Sequence, residues 1–207
     1  MKSKIELFQE FSKHLLEDQI PSQYFNYEFA KEETKVFPFE LLKSLKYTEQ
    51  SLKYHPEGNV WNHTMLVLDQ AAYYKNESKN PVVFMWGALL HDIGKPAATK
   101  KKKSRITAYG HDIEGEKLAK EFLMDLTDDM DFINEVAALV RWHMQILYVL
   151  KDLPYSDIKA MLKEVDLNEV ALLSLCDRIG RTGANINEEK KNMKIFIKNI
   201  QKIVDNI

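Results

Sequence analysis

Apolar residues recur at three- and four-residue intervals along most of this 207-residue chain, and that spacing predicts helices. The first runs from about residue 4 to 19 and ends at Pro21. Residues 22 to 55 read as shorter, aromatic-rich pieces, with Tyr24, Phe25, Tyr27, Phe29, Phe37 and Phe39 available for a core. Phe37-Pro38-Phe39 marks a bend before a helix-like stretch from Glu40 to Lys46, and His55-Pro56-Glu57-Gly58 marks a turn. Asn59 is placed to cap a helix reaching about Asn76. Asn80 is placed to cap the next, with Pro81 at its first position and an apolar run from Val82 to Leu90. That helix stops at the Gly94 turn and Pro96, and a loop follows from about 96 to 108. Helical spacing returns from about 109 to 125. Thr127 then caps a helix in which Ile133, Val136, Val140, His143 and Leu147 share a stripe, with Asp128 and Asp129 near its positive end. Three more helices are expected, over about 155–164, 167–181 and 188–206. The last carries Met193, Phe196, Ile197, Ile200, Ile203 and Val204 on one face. No stretch alternates as a strand. The expectation is an all-α fold: a helical N-terminal extension over 1–50 packed on a core domain over 51–185, then a C-terminal amphipathic helix over 186–207.

Composition agrees with helices. Only 7 glycines and 6 prolines interrupt 207 residues, against 45% hydrophobic residues, so the chain is neither loop-rich nor disordered. Charge is nearly balanced, 29 Lys and Arg against 31 Asp and Glu, which leaves no global basic field for nucleic acid. The nine-residue apolar run is too short to span a bilayer, and Met1 to Glu10 lack the apolar stretch of a signal peptide. Cys176 stands alone and fits a reducing compartment. A soluble, cytoplasmic protein without membrane contact is expected.

Candidate chemistry lies in polar residues on apolar stripes. His143 sits in phase with Val136, Val140 and Leu147, His63 with Val60 and Val67, and His111 with Gly115, Leu118 and Phe122. Asp177 follows Val170 by seven residues and Leu173 by four. A single histidine on such a face is most often a hydrogen-bonded core residue. Several, with buried carboxylates, need one another or a cation, and imidazole with carboxylate suits a transition metal. A metal-free His/Asp network is the competing reading. The doublet His91-Asp92 falls at a helix end beside Gly94, where the backbone can turn both side chains inward. The two oxygens of Asp92 could then bridge two cations.

The ordered series His63, His91-Asp92, His111, His143 and Asp177 resembles the HD-domain metal-dependent phosphohydrolase superfamily. Locally, His55-Pro-Glu-Gly-Asn-Val-Trp-Asn-His63, Leu89-Leu-His-Asp-Ile-Gly-Lys95, Tyr109-Gly-His111 and Cys176-Asp-Arg-Ile-Gly-Arg181 are similar to the HD domain attached to bacterial tRNA nucleotidyltransferases. The likeness covers about residues 50 to 185. The chain has no Gly-Ser followed by an Asp-x-Asp pair and is too short for a polymerase head, so a stand-alone domain that does not add CCA is expected. Cys176 stands where that family often has Ala.

The resemblance implies a first metal on His63, His91, Asp92 and Asp177 and a second on Asp92, His111 and His143. It implies a metal-activated hydroxide attacking a phosphomonoester or phosphodiester, nucleotide-like in character, with Asp92 and Lys95 as the catalytic pair. One or two ions of Mn, Fe, Ni, Co or Zn, with Mg also admissible, would serve as cofactor. Lys95, Arg141 and Arg178 are the candidate phosphate ligands. Lys100 to Lys103 with Arg105 form a cationic loop that is either merely solvated or an RNA contact. Trp61, Trp142 and Cys176 read as core, His14 and His55 as structural or exposed, and Asp112 as surface. Two other readings share the ligand set: a di-iron oxygenase and a non-catalytic metal-stabilised nucleotide sensor. Substrate identity and oligomeric state are not legible.

Overall fold

Ser3 and Glu6 exchange the reciprocal hydrogen bonds of a capping box and so open the first helix, α1, Lys4–Glu17. The structure is a computed structural model that describes residues 2–103 and 105–205, the side chain of Glu33 aside. Pro21 begins a second helix, α2 (Pro21–Glu28), because its missing N–H costs nothing at a first position. A short α3 (Phe39–Lys43) leads into α4 (Val60–Tyr74), where Asn59 Oδ1 accepts from the Asn62 amide at 2.8 Å as expected of a cap. In α5 (Pro81–Leu90) Pro81 takes the first position, but Asn80 makes no cap; its amide reaches Glu135 instead. The next elements are α6 (Lys95–Ala98), α7 (His111–Met124), α8 (Met130–Trp142) and α9 (Gln145–Leu150). The chain closes with α10 (Ile158–Glu164), α11 (Leu167–Ile179) and α12 (Ile186–Asp205).

Three further sequence expectations need correction. The stretch 96 to 108 is not simply a loop: after α6 it holds a hairpin of β1 (Lys100–Lys102) and β2 (Arg105–Thr107), with Lys100 opposite Thr107. Three-residue strands are too short for alternation to register. Asp129, not Thr127, caps α8, because its carboxylate accepts from the Phe132 amide at 3.0 Å. The stripe through His143 is not one helix; it breaks after Trp142 and resumes at Gln145.

The core is helix on helix, α4, α5, α8 and α11 packing around Trp86, Leu68, Leu139 and Leu173. Gly87 lets α5 and α8 close, since a Cβ there would stand 3.0 Å from Leu139 Cδ1. Phe11 on α1 is fully buried against the rings of Phe25, Phe29 and Phe39, and Phe39 meets Phe122 of α7 at 5.9 Å. Residues 4–45 therefore share one hydrophobic cluster with the central helices. Trp61 and Trp142 are core residues, as is Cys176, whose thiol burial pushes up. α12 buries Phe196 and Ile200 but leaves Ile203 and Val204 exposed. Among the described residues no helix is long and apolar enough to cross a membrane.

Candidate metal centre

The end of α5 sets the centre. Past Leu90 the chain makes two tight turns, in which the Ile93 amide donates to the Leu90 carbonyl and the Lys95 amide to the Asp92 carbonyl, each at 2.9 Å. His91 and Asp92 both turn inward and are almost wholly buried. Gly94 is required for what comes next. A Cβ there would lie 2.1 Å from the His111 carbonyl oxygen and 2.5 Å from the Gly115 amide nitrogen, so only a glycine lets the first turn of α7 settle on this loop. That contact delivers His111. His143 comes from the break after α8, where Ser174 Oγ donates to its carbonyl at 2.8 Å. His63 comes from α4 and Asp177 from α11.

All six predicted residues converge. Asp92 Oδ2 lies 3.2 Å from His91 Nε2 and 3.9 Å from His63 Nε2. Asp92 Oδ1 lies 3.4 Å from His111 Nε2 and 3.9 Å from His143 Nε2. Each carboxylate oxygen thus faces its own pair of imidazoles. Asp177 Oδ1 stands 2.9 Å from His63 Nε2, on the first side. His111 and His143 bring their Nε2 atoms to 3.3 Å.

Ring orientation is fixed from behind. The Nδ1–H groups of His91, His111 and His143 donate to the carbonyls of Ala88, Ala108 and Val140 at 2.8, 2.7 and 2.6 Å. A carbonyl only accepts, so the proton resides on Nδ1 and the Nε2 lone pair is left facing Asp92. His63 Nδ1 is instead 2.8 Å from Glu57 Oε1.

The donor set fits divalent metal. Two donors bound about 2.1 Å from one ion at 90–110° stand about 3.0–3.4 Å apart, the range in which several of these pairs fall. His91 Nε2 is buried without a hydrogen bond, and facing lone pairs on His111 and His143 would be reconciled by a cation between them. Burial by itself pushes the Asp92 carboxyl up, but the Lys95 ammonium and the His91 ring outweigh it and hold it well below the carboxylate range. Arg181 and His63 do the same for Asp177. Burial pushes His143 down to about 4 and His111 down as well, so both stay neutral and available as ligands. For His91 burial opposes charge, yet the neighbouring Asp92 carboxylate shifts it up.

Asp92, His111, His143 and Asp177 of the cluster line a cavity of about 1090 Å³. Lys95 is buried at the floor they form, its ammonium 2.6 Å from Asp92 Oδ2 and 2.6 Å from Gln50 Oε1. Arg141 lines the cavity but is held by Asp112 at 2.8 Å, and Asp112 is accordingly buried, a correction to its expected place on the surface. Arg178 does not line the cavity; its guanidinium is bound to Glu189 of α12. Arg181, one turn on, takes that place and pairs with Asp177 at 3.0 Å. His55 is no bystander: it lines the cavity, meets the His63 ring edge-on at 4.7 Å and shares Glu57 with it. Gln50, Glu57 and Arg181 are thus site residues that periodicity could not single out, since each lies in or beside a turn. The HPEG and DRIGR runs were the signal that could have flagged the last two.

A family model described as HD domain matches residues 60–182. The chain is 37% identical over 101 residues to the Multifunctional CCA protein of Actinobacillus pleuropneumoniae serotype 5b (strain L20), covering 47% of this chain and 23% of that protein. It is 26% identical over 142 residues to the protein of the same name from Haemophilus ducreyi, covering 65% of this chain and 34% of the relative. For that from Shewanella denitrificans the figures are 29% over 141 residues, 65% and 32%. The matched stretch therefore spans no more than about a third of the length of these relatives.

Proposed function

The chain belongs to the HD-domain family, and from that premise we propose that it is a metal-dependent phosphohydrolase acting on a nucleotide-like phosphomonoester or phosphodiester. The observation that carries the reading is the split of Asp92, one oxygen toward each pair of imidazoles. His63, His91, Asp92 and Asp177 would hold one ion, and Asp92, His111 and His143 a second. Mn, Fe, Co, Ni and Zn suit such mixed donors. Bound ions would supply the Lewis acidity and the activated water that phosphoester hydrolysis needs.

The chain's own residues do the rest. The backbone carbonyls of Ala88, Ala108 and Val140 keep three ring protons on Nδ1. Glu57 orients His63 and is itself tied to the Thr182 amide. Gln50 positions the Lys95 ammonium, which is placed to neutralise a phosphate oxygen as the ester bond breaks. Arg141 and Arg181 line the same cavity with charges already matched by Asp112 and Asp177. The β1–β2 hairpin places Arg105 on the cavity wall, which supports an RNA or nucleotide contact there.

Hydrolysis of 2′,3′-cyclic nucleotides, nucleoside monophosphates and a generic diester tests the reading, each with Mn, Ni, Co and Mg supplied separately. Metal-dependent release of product is expected. Folded, metal-loaded protein silent on every ester would overturn it.

A further inference from the structure

We infer that the outer part of the cavity is a base-stacking rim, and that the enzyme takes the phosphate-bearing end of a single-stranded oligonucleotide rather than a mononucleotide. The inner end of this inference rests on the phosphohydrolase reading; the rim does not.

Size comes first. Pockets that enclose a drug-sized ligand run to about 300–1,000 Å³. This one, at about 1090 Å³, lies above that range, and its metal-ligating floor occupies only one part of the wall. The remainder includes tyrosines from three separate stretches of chain, Tyr54, Tyr109 and the pair Tyr148 and Tyr155, set beside aliphatic side chains such as Leu147 and Leu153. Tyr109 is 71% exposed and Tyr155 59%, so neither ring is used by the core. Tyr148 and Tyr155 hold each other edge-on at 5.6 Å, and Tyr109 is steadied by a hydrogen bond that its phenol oxygen accepts from Arg105 at 3.0 Å. Rings held in place and open on one face are platforms for bases, and every base offers a face to stack.

Charge separates the rim from the floor. At the floor, Arg141 and Arg181 are neutralised by Asp112 and Asp177. At the rim, Lys53, Arg105 and Lys151 line the cavity, and none has a carboxylate within ion-pair distance among the described residues. Glu49, which also lines the cavity, is committed to Lys101 at 2.6 Å. Three unneutralised cations among stacking rings match a chain of phosphodiesters carrying bases. An apolar ligand would have no use for the cations, and a mononucleotide would leave most of the rings uncovered.

The test is calorimetric binding to the metal-loaded full chain. The probes are oligoadenylates of one, two and three nucleotides, each with a terminal methylenephosphonate that cannot be hydrolysed, at the 3′ or the 5′ end. Ribo- and deoxyribo- series are run in parallel. Binding is expected to tighten by at least about ten-fold from one nucleotide to three, and to weaken with added salt. Tightening in either series supports the proposal, and the tighter series names the strand. The double variant Tyr109→Ala/Tyr155→Ala should bind the three-nucleotide probe at least about ten-fold more weakly, while Tyr109→Phe/Tyr155→Phe, which keeps both rings, should retain the length dependence. Equal affinity for one and three nucleotides in the wild type, or a length dependence untouched by the alanine pair, overturns the rim. Turnover is read separately: length-dependent binding with no hydrolysis of any ester would leave the rim standing and remove the phosphohydrolase reading.

Discussion

Glu57 touches no reacting atom, yet it stands behind the His63 ring. Its carboxylate lies 2.8 Å from His63 Nδ1 and 3.0 Å from His55 Nδ1. Glu57→Ala frees that ring, and metal affinity measured by calorimetry should fall about 10–100-fold with the helical content unchanged. An unaltered affinity would show that His63 needs no such support. At this scale the sequence was informative wherever a polar residue interrupted an apolar stripe: His63, His111, His143 and Asp177 announce themselves in that way. Glu57, Gln50 and Arg181 do not, because polar residues in turns are ordinary. Asp112 misled for a related reason. Helical phase separates it from His111 by about 100°, which suggested solvent. Arg141, 29 positions on, covers it, and no local pattern reports a contact of that range.

Among the elements, the turn between α5 and α6 carries the most consequence. Gly94→Ala would drive a Cβ into the His111 carbonyl and the Gly115 backbone. Backbone cannot yield as a side-chain tip can, so thermal unfolding should show a loss of about 3 kcal/mol or more. A stability within about 0.5 kcal/mol of wild type would refute the close approach. A second prediction concerns α12, which Glu189 ties to Arg178 on α11. Burial pushes the Glu189 carboxyl up, but the bonds it accepts from Arg178 and Asn192 outweigh this and lower it below 4.5. A lowered carboxylate stabilises the fold fully above its unfolded value and loses that effect as pH falls through its folded value. Glu189→Gln should therefore cost about 1 kcal/mol at pH 7 and less at pH 4, read from unfolding curves at both. An equal cost at the two pH values would count against the ion pair. Element boundaries were legible where a cap or proline marks them, as at Asn59 and Pro81. The β1–β2 hairpin and the break at His143 were not, being settled by tertiary contacts such as that from Ser174.

For the molecule as a whole, the aromatic residues before position 45 are part of what holds the site. Phe11 is fully buried among Phe25, Phe29 and Phe39, and Trp86 of α5 donates to Ser12 at 3.0 Å. Phe11→Ala should cost about 3–5 kcal/mol in chemical unfolding, and one cooperative transition should lose both α1 and the metal centre. Two separate transitions would instead show that α1 and α2 melt on their own. The helical class was plain from spacing alone. What spacing could not convey is that elements distant in sequence bring four imidazoles to one carboxylate. Asp92 therefore offers the most direct measurement: metal content and phosphoester turnover of wild type and Asp92→Ala, side by side, with circular dichroism on both. The account predicts that the variant keeps its helices, retains no stoichiometric divalent ion and hydrolyses nothing. A folded Asp92→Ala protein that still binds metal and turns over substrate at the wild-type rate would contradict it.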